Sequence, residues 1–209
     1  MFKDIDFKKA LQELPEKEKD KLILRLLRRD IDLAEKLFFE LVDTDTVEDK
    51  RRNMETLISN DINRIAENYY ALDLIAVEMR SISGKISYHV KITKDKFGEI
   101  SLNLHMLNEV IEKNTFSLTH SKPQKSTKFY HYVIGRTFKI LLLIQALHED
   151  YLVDFKEGLN RLGVNISKDQ MLLKTANSTS LDINWILEAE IPENLLQIHK
   201  EIKAAGLLK

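Results

Sequence analysis

KFYHYVIGRTFKILLLIQALHEDYLVDFKEGLNRL, Lys128 to Leu162, is the stretch on which the fold turns. It contains no proline. Tyr130, Ile134, Thr137, Leu141, Ile144, His148, Tyr151 and Phe155 recur in steps of four and three, the spacing of one helix face. From Ile140 to Leu147 it is apolar on nearly every side, Gln145 excepted. Such a helix must be covered all round, so the spacing predicts the central helix of a bundle, roughly 50 Å long at about 1.5 Å per residue.

A second long seam lies upstream. Ile58, Ile62, Ile65, Tyr69, Leu72, Ala76, Met79, Ser83, Ile86 and Val90 keep the same alternation, with Ser83 the one break in its apolar run. This is the pattern of a long helix packed nearly parallel or antiparallel to another. Leu74, Ile75, Val77 and Ile82 widen its apolar face, which favours a multi-helix bundle over a two-stranded coil. Residues 85–105 read two ways. Ile86, Tyr88, Val90, Ile92, Ile100, Leu102 and Leu104 alternate at period two around Lys94 to Gly98, a β-hairpin signal. The helical seam also runs through Ile86 and Val90 and resumes at Ile100, Leu104, Leu107 and Ile111. The helical hairpin is the preferred reading, with its second helix reaching about Asn114.

The flanks are shorter. Residues 1–45 predict three helices, about Asp4 to Glu13, Glu16 to Arg29 and one capped by Asp30 or Asp32 that runs to about Val42. Pro15 opens the second of these, where its missing N–H is harmless. Residues 43–49, DTDTVED, form a polar hinge and cap. After Gly163, Ser167 is the expected cap of a helix from Lys168 to about Ala176. A short helix holding Trp185 follows, then a last one from Glu193 to about Ala205, stopped by Gly206. No second copy recurs at a fixed period, so a repeat architecture has no support. The expected fold is therefore all-α: a multi-helix bundle (46–163) on two long antiparallel helices. An N-terminal helical hairpin unit (1–45) precedes it and a cap of short helices (164–209) follows, the whole forming one continuous domain.

Composition agrees. Six glycines and three prolines in 209 residues are too few for the turns of a sheet protein, and 44% hydrophobic content suffices for a core. Zero cysteines exclude disulfides, thiolate metal sites and a cysteine nucleophile. The N-terminus has no continuous apolar core of a signal peptide, and no apolar run approaches a bilayer-spanning length of about 20 residues. The cytoplasm is therefore the expected compartment. The net charge of -1 gives no global pull toward nucleic acid.

The charge is uneven along the chain. Between Lys113 and His148 there is no acid, while Lys113, Lys122, Lys125, Lys128, Arg136 and Lys139 are positive. Phe116, Phe129, Tyr130, Tyr132 and Phe138 are interleaved. Basic side chains beside aromatics can hold phosphates and stack bases. Acids return at Glu149, Asp150, Asp154 and Glu157, and again from Asp182 to Glu193. Internal pairing of the basic stretch with these acids is the simpler expectation. The candidate binding residues are Lys122, Lys125, Lys128, Tyr130, His131, Arg136 and His148.

No catalytic motif stands out: HExxH, GxSxG, SxxK and Gly-rich phosphate loops are all missing. No histidine has a glutamate three residues before it, so neither a metal nor another cofactor is expected. The first functional expectation is a non-enzymatic helical interaction or scaffold protein that binds a protein partner or itself. The alternative is nucleic-acid or phosphate-ligand binding through residues 113–148.

Overall fold

The structure is a computed structural model that describes residues 4–68, 71–121 and 126–208. Among these it contains twelve α-helices and no strand. The N-terminal three are α1 (Ile5–Glu13), α2 (Glu16–Leu27) and α3 (Ile31–Leu41). The bundle follows with α4 (Val47–Glu67), α5 (Leu72–Thr93), α6 (Lys96–Lys113), α7 (Thr115–His120), α8 (Thr127–Gln145) and α9 (Leu152–Lys168). The chain closes with α10 (Gln170–Ser178), α11 (Asn184–Leu187) and α12 (Leu195–Ala204). This is an all-α multi-helix bundle.

The caps explain several boundaries. Asp4 accepts from the amides of Asp6 and Phe7, and Asp30 from that of Leu33. Thr46 and Asp49 form a reciprocal capping box at the start of α4, each side chain accepting from the other's backbone amide.

Residues 85–105 are helical. The two helices join through Lys94, at φ 59°, and Asp95, whose side chain caps the Gly98 amide. Lys94 closes α5 in the left-handed conformation, and its amide donates to the Val90 carbonyl. The period-two alternation loses because Ile82, Ile86 and His89 face one way while Tyr88 faces out.

The stretch 128–162 differs from its expectation. It is two helices, α8 and α9, with Ala146 capping the first and a 3-10 turn at Glu149–Tyr151 leading into the second. Electrostatics favours the break. One continuous helix would set acids along its C-terminal half, against the macrodipole. The break instead puts Asp154 in the first turn of α9, where negative charge is favoured. The seam from Ile58 to Val90 is likewise divided, between α4 and α5. Asn68 closes α4, and its side-chain amide donates to the Arg64 carbonyl at 2.7 Å. Tyr69 lies outside the described residues. The other seam members are buried apart from Val90, which packs against the core part-buried.

The hub of the bundle is α6 rather than the 128–162 stretch. It touches α4, α5, α7, α8 and α9 and buries residues on most of its faces, from Gly98 to Ile111. Around it, α8 packs on α5, α10 and α12. Gly163 does not end a helix. It sits within α9, where a Cβ would come 2.7 Å from the Leu187 Cδ2, so its bare face admits α11. The helix therefore continues to Lys168, and Asp169, not Ser167, caps α10. Trp185 packs against the core part-buried. No described helix is long and apolar enough to cross a membrane.

Candidate functional site

The basic face of α8 opens into a groove. Val133, Ile134, Thr137, Phe138 and Leu141 are buried and fix the orientation of α8. Lys128, His131, Tyr132, Arg136 and Lys139 then fall on the opposite side, by helix geometry alone. The polypeptide after α12 turns back across this side. Gly206, at φ +70°, makes the reversal. Leu208 lands buried beside Gly135, where a Cβ would stand 3.7 Å from its Cδ2. The C-terminal segment thus passes over the lone glycine of α8 at ordinary van der Waals distance.

Two adjoining cavities result. One, of about 560 Å³, is lined by Arg80, Thr127, Lys128, His131, Tyr132, Arg136, Gly206 and Leu207. The other, of about 270 Å³, is lined by His131, Tyr132, Gly135, Arg136, Lys139, Leu142, His199, Lys203 and Leu208. They share His131, Tyr132 and Arg136. Neither is lined by a carboxylate, whereas five lysines and arginines are present.

Tyr132 organises the groove. Its hydroxyl donates to the Met79 carbonyl at 3.0 Å and accepts from the Ser83 hydroxyl. It also accepts from the Arg136 guanidinium at 3.0 Å. The guanidiniums of Arg80 and Arg136 stand over its ring, 5.5 and 5.3 Å from the centroid. Cation–π attraction and a hydrogen bond therefore hold two positive groups in place from one side chain. His131 donates from Nδ1 to the Leu207 carbonyl at 3.0 Å, because a carbonyl can only accept. His131 also lines both cavities. His199 packs its ring 5.5 Å from that of Phe138. Burial, reinforced by the nearby Lys203 charge, lowers its pKa and keeps the imidazole neutral at pH 7.

Among the described residues the basic stretch is paired internally in part, and with acids of α6 rather than with the two acidic stretches downstream. Lys139 pairs with Glu99 of α6 at 2.6 Å, and Lys113 with Glu109. Lys128, Arg136, Arg80 and Lys203 have no carboxylate partner among the described residues. The acidic segment of the C-terminal region meets α8 elsewhere, where Gln145 donates to the carbonyls of Pro192 and Glu193.

Of the candidate residues, Lys128, His131 and Arg136 come together in the groove. Tyr130 is 2% exposed and belongs to the core. His148 is exposed at the α8–α9 break and pairs with Asp150 at 3.1 Å, away from the groove. Lys122 and Lys125 lie outside the described residues. Arg80, His199 and Lys203 complete the lining without any local sequence signal, because the fold brings them from α5 and α12. Among the described residues no three His, Asp or Glu side chains converge as metal ligands would.

Comparison of the chain with protein-family models, with curated proteins and with solved structures finds no match.

Proposed function

We propose that the protein is a non-enzymatic binding protein whose α8 groove takes a phosphate-type anion. One observation carries this reading: Arg80, Lys128, Arg136, Lys139 and Lys203 converge on two adjoining cavities with no carboxylate in their lining. Lys139 is shared with Glu99, but cations gathered in a concave site with no carboxylate in its lining raise the local potential and attract anions. A guanidinium fixed by Tyr132 loses little freedom on gripping phosphate oxygens, which its fork can meet in pairs. Calorimetric titration with inorganic phosphate across a rising salt series tests this. Saturable binding that weakens with salt and disappears in Arg136→Ala supports the reading, and no binding at the lowest salt overturns it.

A second reading rests on a separate surface. The helices α1, α2 and α3 bury none of their residues, while Leu24, Leu26, Ile31, Phe38 and Leu41 stay exposed. Several large apolar side chains left in solvent on one helical unit are consistent with a protein-interaction surface. It supports a helical interaction module that engages a protein partner or a second copy of the chain. Light scattering over a concentration series and affinity capture from lysate test it. A strict monomer that recovers no partner would overturn it.

A further inference from the structure

The two cavities are not equivalent halves of one bowl. Arg136 and Tyr132 line both, but each cavity has cations of its own. Arg80 and Lys128 belong to the larger one, Lys139 and Lys203 to the smaller. The segment Gly206 to Leu208 contributes to both walls, with Leu207 facing one cavity and Leu208 the other. Arg136 thus stands where the two basins meet.

The aromatic side chains narrow the ligand class further. A nucleic-acid strand needs open rings on which bases stack. Phe129, Tyr130 and Phe138 are 0%, 2% and 0% exposed, and the Tyr132 ring is already engaged by two guanidiniums. Phe116 is exposed but lines neither cavity, so the interleaved aromatics supply no stacking platform within the groove. What remains is charge, arranged in two pockets around a shared arginine.

We infer that the groove binds a small ligand bearing two phosphate groups, one seated by Arg80 and Lys128, the other by Lys203 and Lys139, with Arg136 bridging them. This rests on the anion-binding reading above and specifies its ligand class. The mechanism is chelation: once the first phosphate is seated, the second binds at a high effective concentration. Lys139 contributes less than Lys203, since Glu99 already neutralises part of its charge.

The test compares four probes on the intact chain at fixed salt: inorganic phosphate, pyrophosphate, a series of alkanediol bisphosphates of increasing length, and a mixed-sequence single-stranded oligonucleotide. At least one two-phosphate probe should bind about tenfold or more tighter than inorganic phosphate, the least that chelation across two pockets provides. Lys128→Ala and Lys203→Ala alter exposed side chains, so both variants should fold normally. Each should abolish most of that advantage, so that on the same variant the two-phosphate probes bind within about twofold of inorganic phosphate, because only one intact pocket is left to seat a phosphate. If phosphate binds and Arg136→Ala removes it, but no second phosphate tightens binding, this inference falls and the anion site stands. If neither inorganic phosphate nor any two-phosphate probe binds, both fall together. An oligonucleotide that outcompetes every two-phosphate probe would overturn the inference in favour of a polyanion surface.

Discussion

The Arg51 guanidinium grips the Asp95 carboxylate through two hydrogen bonds, from Nε to Oδ2 at 2.7 Å and from Nη2 to Oδ1 at 2.8 Å. This ties the first turns of α4 to the joint between α5 and α6. The same carboxylate caps the Gly98 amide at 2.7 Å, and His89 Nε2 lies 3.3 Å from it. Arg51 also lies over the Phe97 ring, 4.7 Å from its centroid. Asp95 is 5% exposed, so its charge depends on these partners.

Removing Arg51 leaves that carboxylate buried without its guanidinium, held only by the Gly98 amide and His89. Arg51→Ala should therefore cost about 3–5 kcal/mol in urea unfolding, the usual penalty for breaking a buried pair from one side. Gly98→Ala should approach the same loss, since its Cβ would fall 2.0 Å from the Asp95 Oδ2 and expel the carboxylate. A loss below about 1 kcal/mol in Arg51→Ala would show that the clasp is not under tension from burial.

The clasp also sets an acid limit. Burial opposes ionisation of Asp95, but hydrogen bonds from His89, Arg51 and the Gly98 amide outweigh it and hold the carboxyl well below its ordinary range. A group with a depressed folded pKa contributes its full stability above the unfolded value, here 3.8, and loses it as pH falls toward the folded one. The urea midpoint should thus drop as pH falls below about 5, and drop less steeply in Asp95→Asn. Glu109 and Glu112 keep some slope in that variant. Burial opposes ionisation of Glu109, but Lys113 and Arg161 lower its pKa; Arg161 chiefly lowers that of Glu112. Equal slopes in wild type and Asp95→Asn would remove Asp95 from the account.

Two glycines inside helices should respond with opposite signs. Gly163→Ala forces a Cβ to 2.7 Å from the Leu187 Cδ2 and 3.3 Å from its backbone nitrogen. Backbone cannot yield as a side-chain tip does, so overpacking of about 1–3 kcal/mol is expected. Gly84 lies within α5, and a Cβ there would have nothing within 4 Å of it. Gly84→Ala should stabilise by about 0.5–1 kcal/mol through helix propensity. Thermal melts of both variants decide it, and a stabilised Gly163→Ala would contradict the packing of α11 on α9.

These glycines show where sequence reading succeeds and where it stops. The four-three seam through Ile58, Ile62, Ile65, Leu72, Ala76 and Met79 identifies core residues because burial and periodicity are the same fact seen twice. It does not identify helix ends, since the seam runs on in phase across the α4–α5 gap. Gly163 reads as a stop because helices commonly end at glycine, yet the reason for it lies far along the chain, in Leu187. The groove follows the same logic. Lys128, His131 and Arg136 share a helix face and are legible as a basic cluster. Lys203 and Arg80 join them only through tertiary folding, and the burial of Tyr130 follows from which face of α8 meets α10 and α6. The hub role of α6 is hidden by a period-two alternation that happens to coexist with the helical one.

Tyr132→Phe separates the two ways in which the groove holds its arginines. The ring remains, so both cation–π contacts survive. The hydroxyl is lost, leaving the Met79 carbonyl, the Ser83 hydroxyl and the Arg136 guanidinium each short of one partner. Stability should fall by about 1–2 kcal/mol. Phosphate affinity should fall by about threefold to tenfold, as Arg136 regains freedom it must surrender on binding. Calorimetry on the folded variant measures this, and unchanged affinity would mean that the ring alone positions Arg136.

The interface between α6 and α9 carries a buried amide relay that should fix how these helices meet. Asn108 donates to the Gly158 carbonyl at 3.0 Å, while Asn165 donates to the Asn108 Oδ1 at 3.0 Å and to Glu112 at 2.9 Å. Both asparagines are buried, at 2% and 6% exposure. Asn108→Leu strips Gly158 and Asn165 of a partner at once and should cost about 2–3 kcal/mol. Asn165→Leu should cost less, since Glu112 keeps its contact to Arg161. In the double variant the amide that Asn108→Leu alone leaves unpaired is gone, so the combined loss should be smaller than the sum of the singles by about 1 kcal/mol. A double-mutant cycle by urea unfolding measures that difference, and strict additivity would show that the two asparagines act independently rather than as one relay.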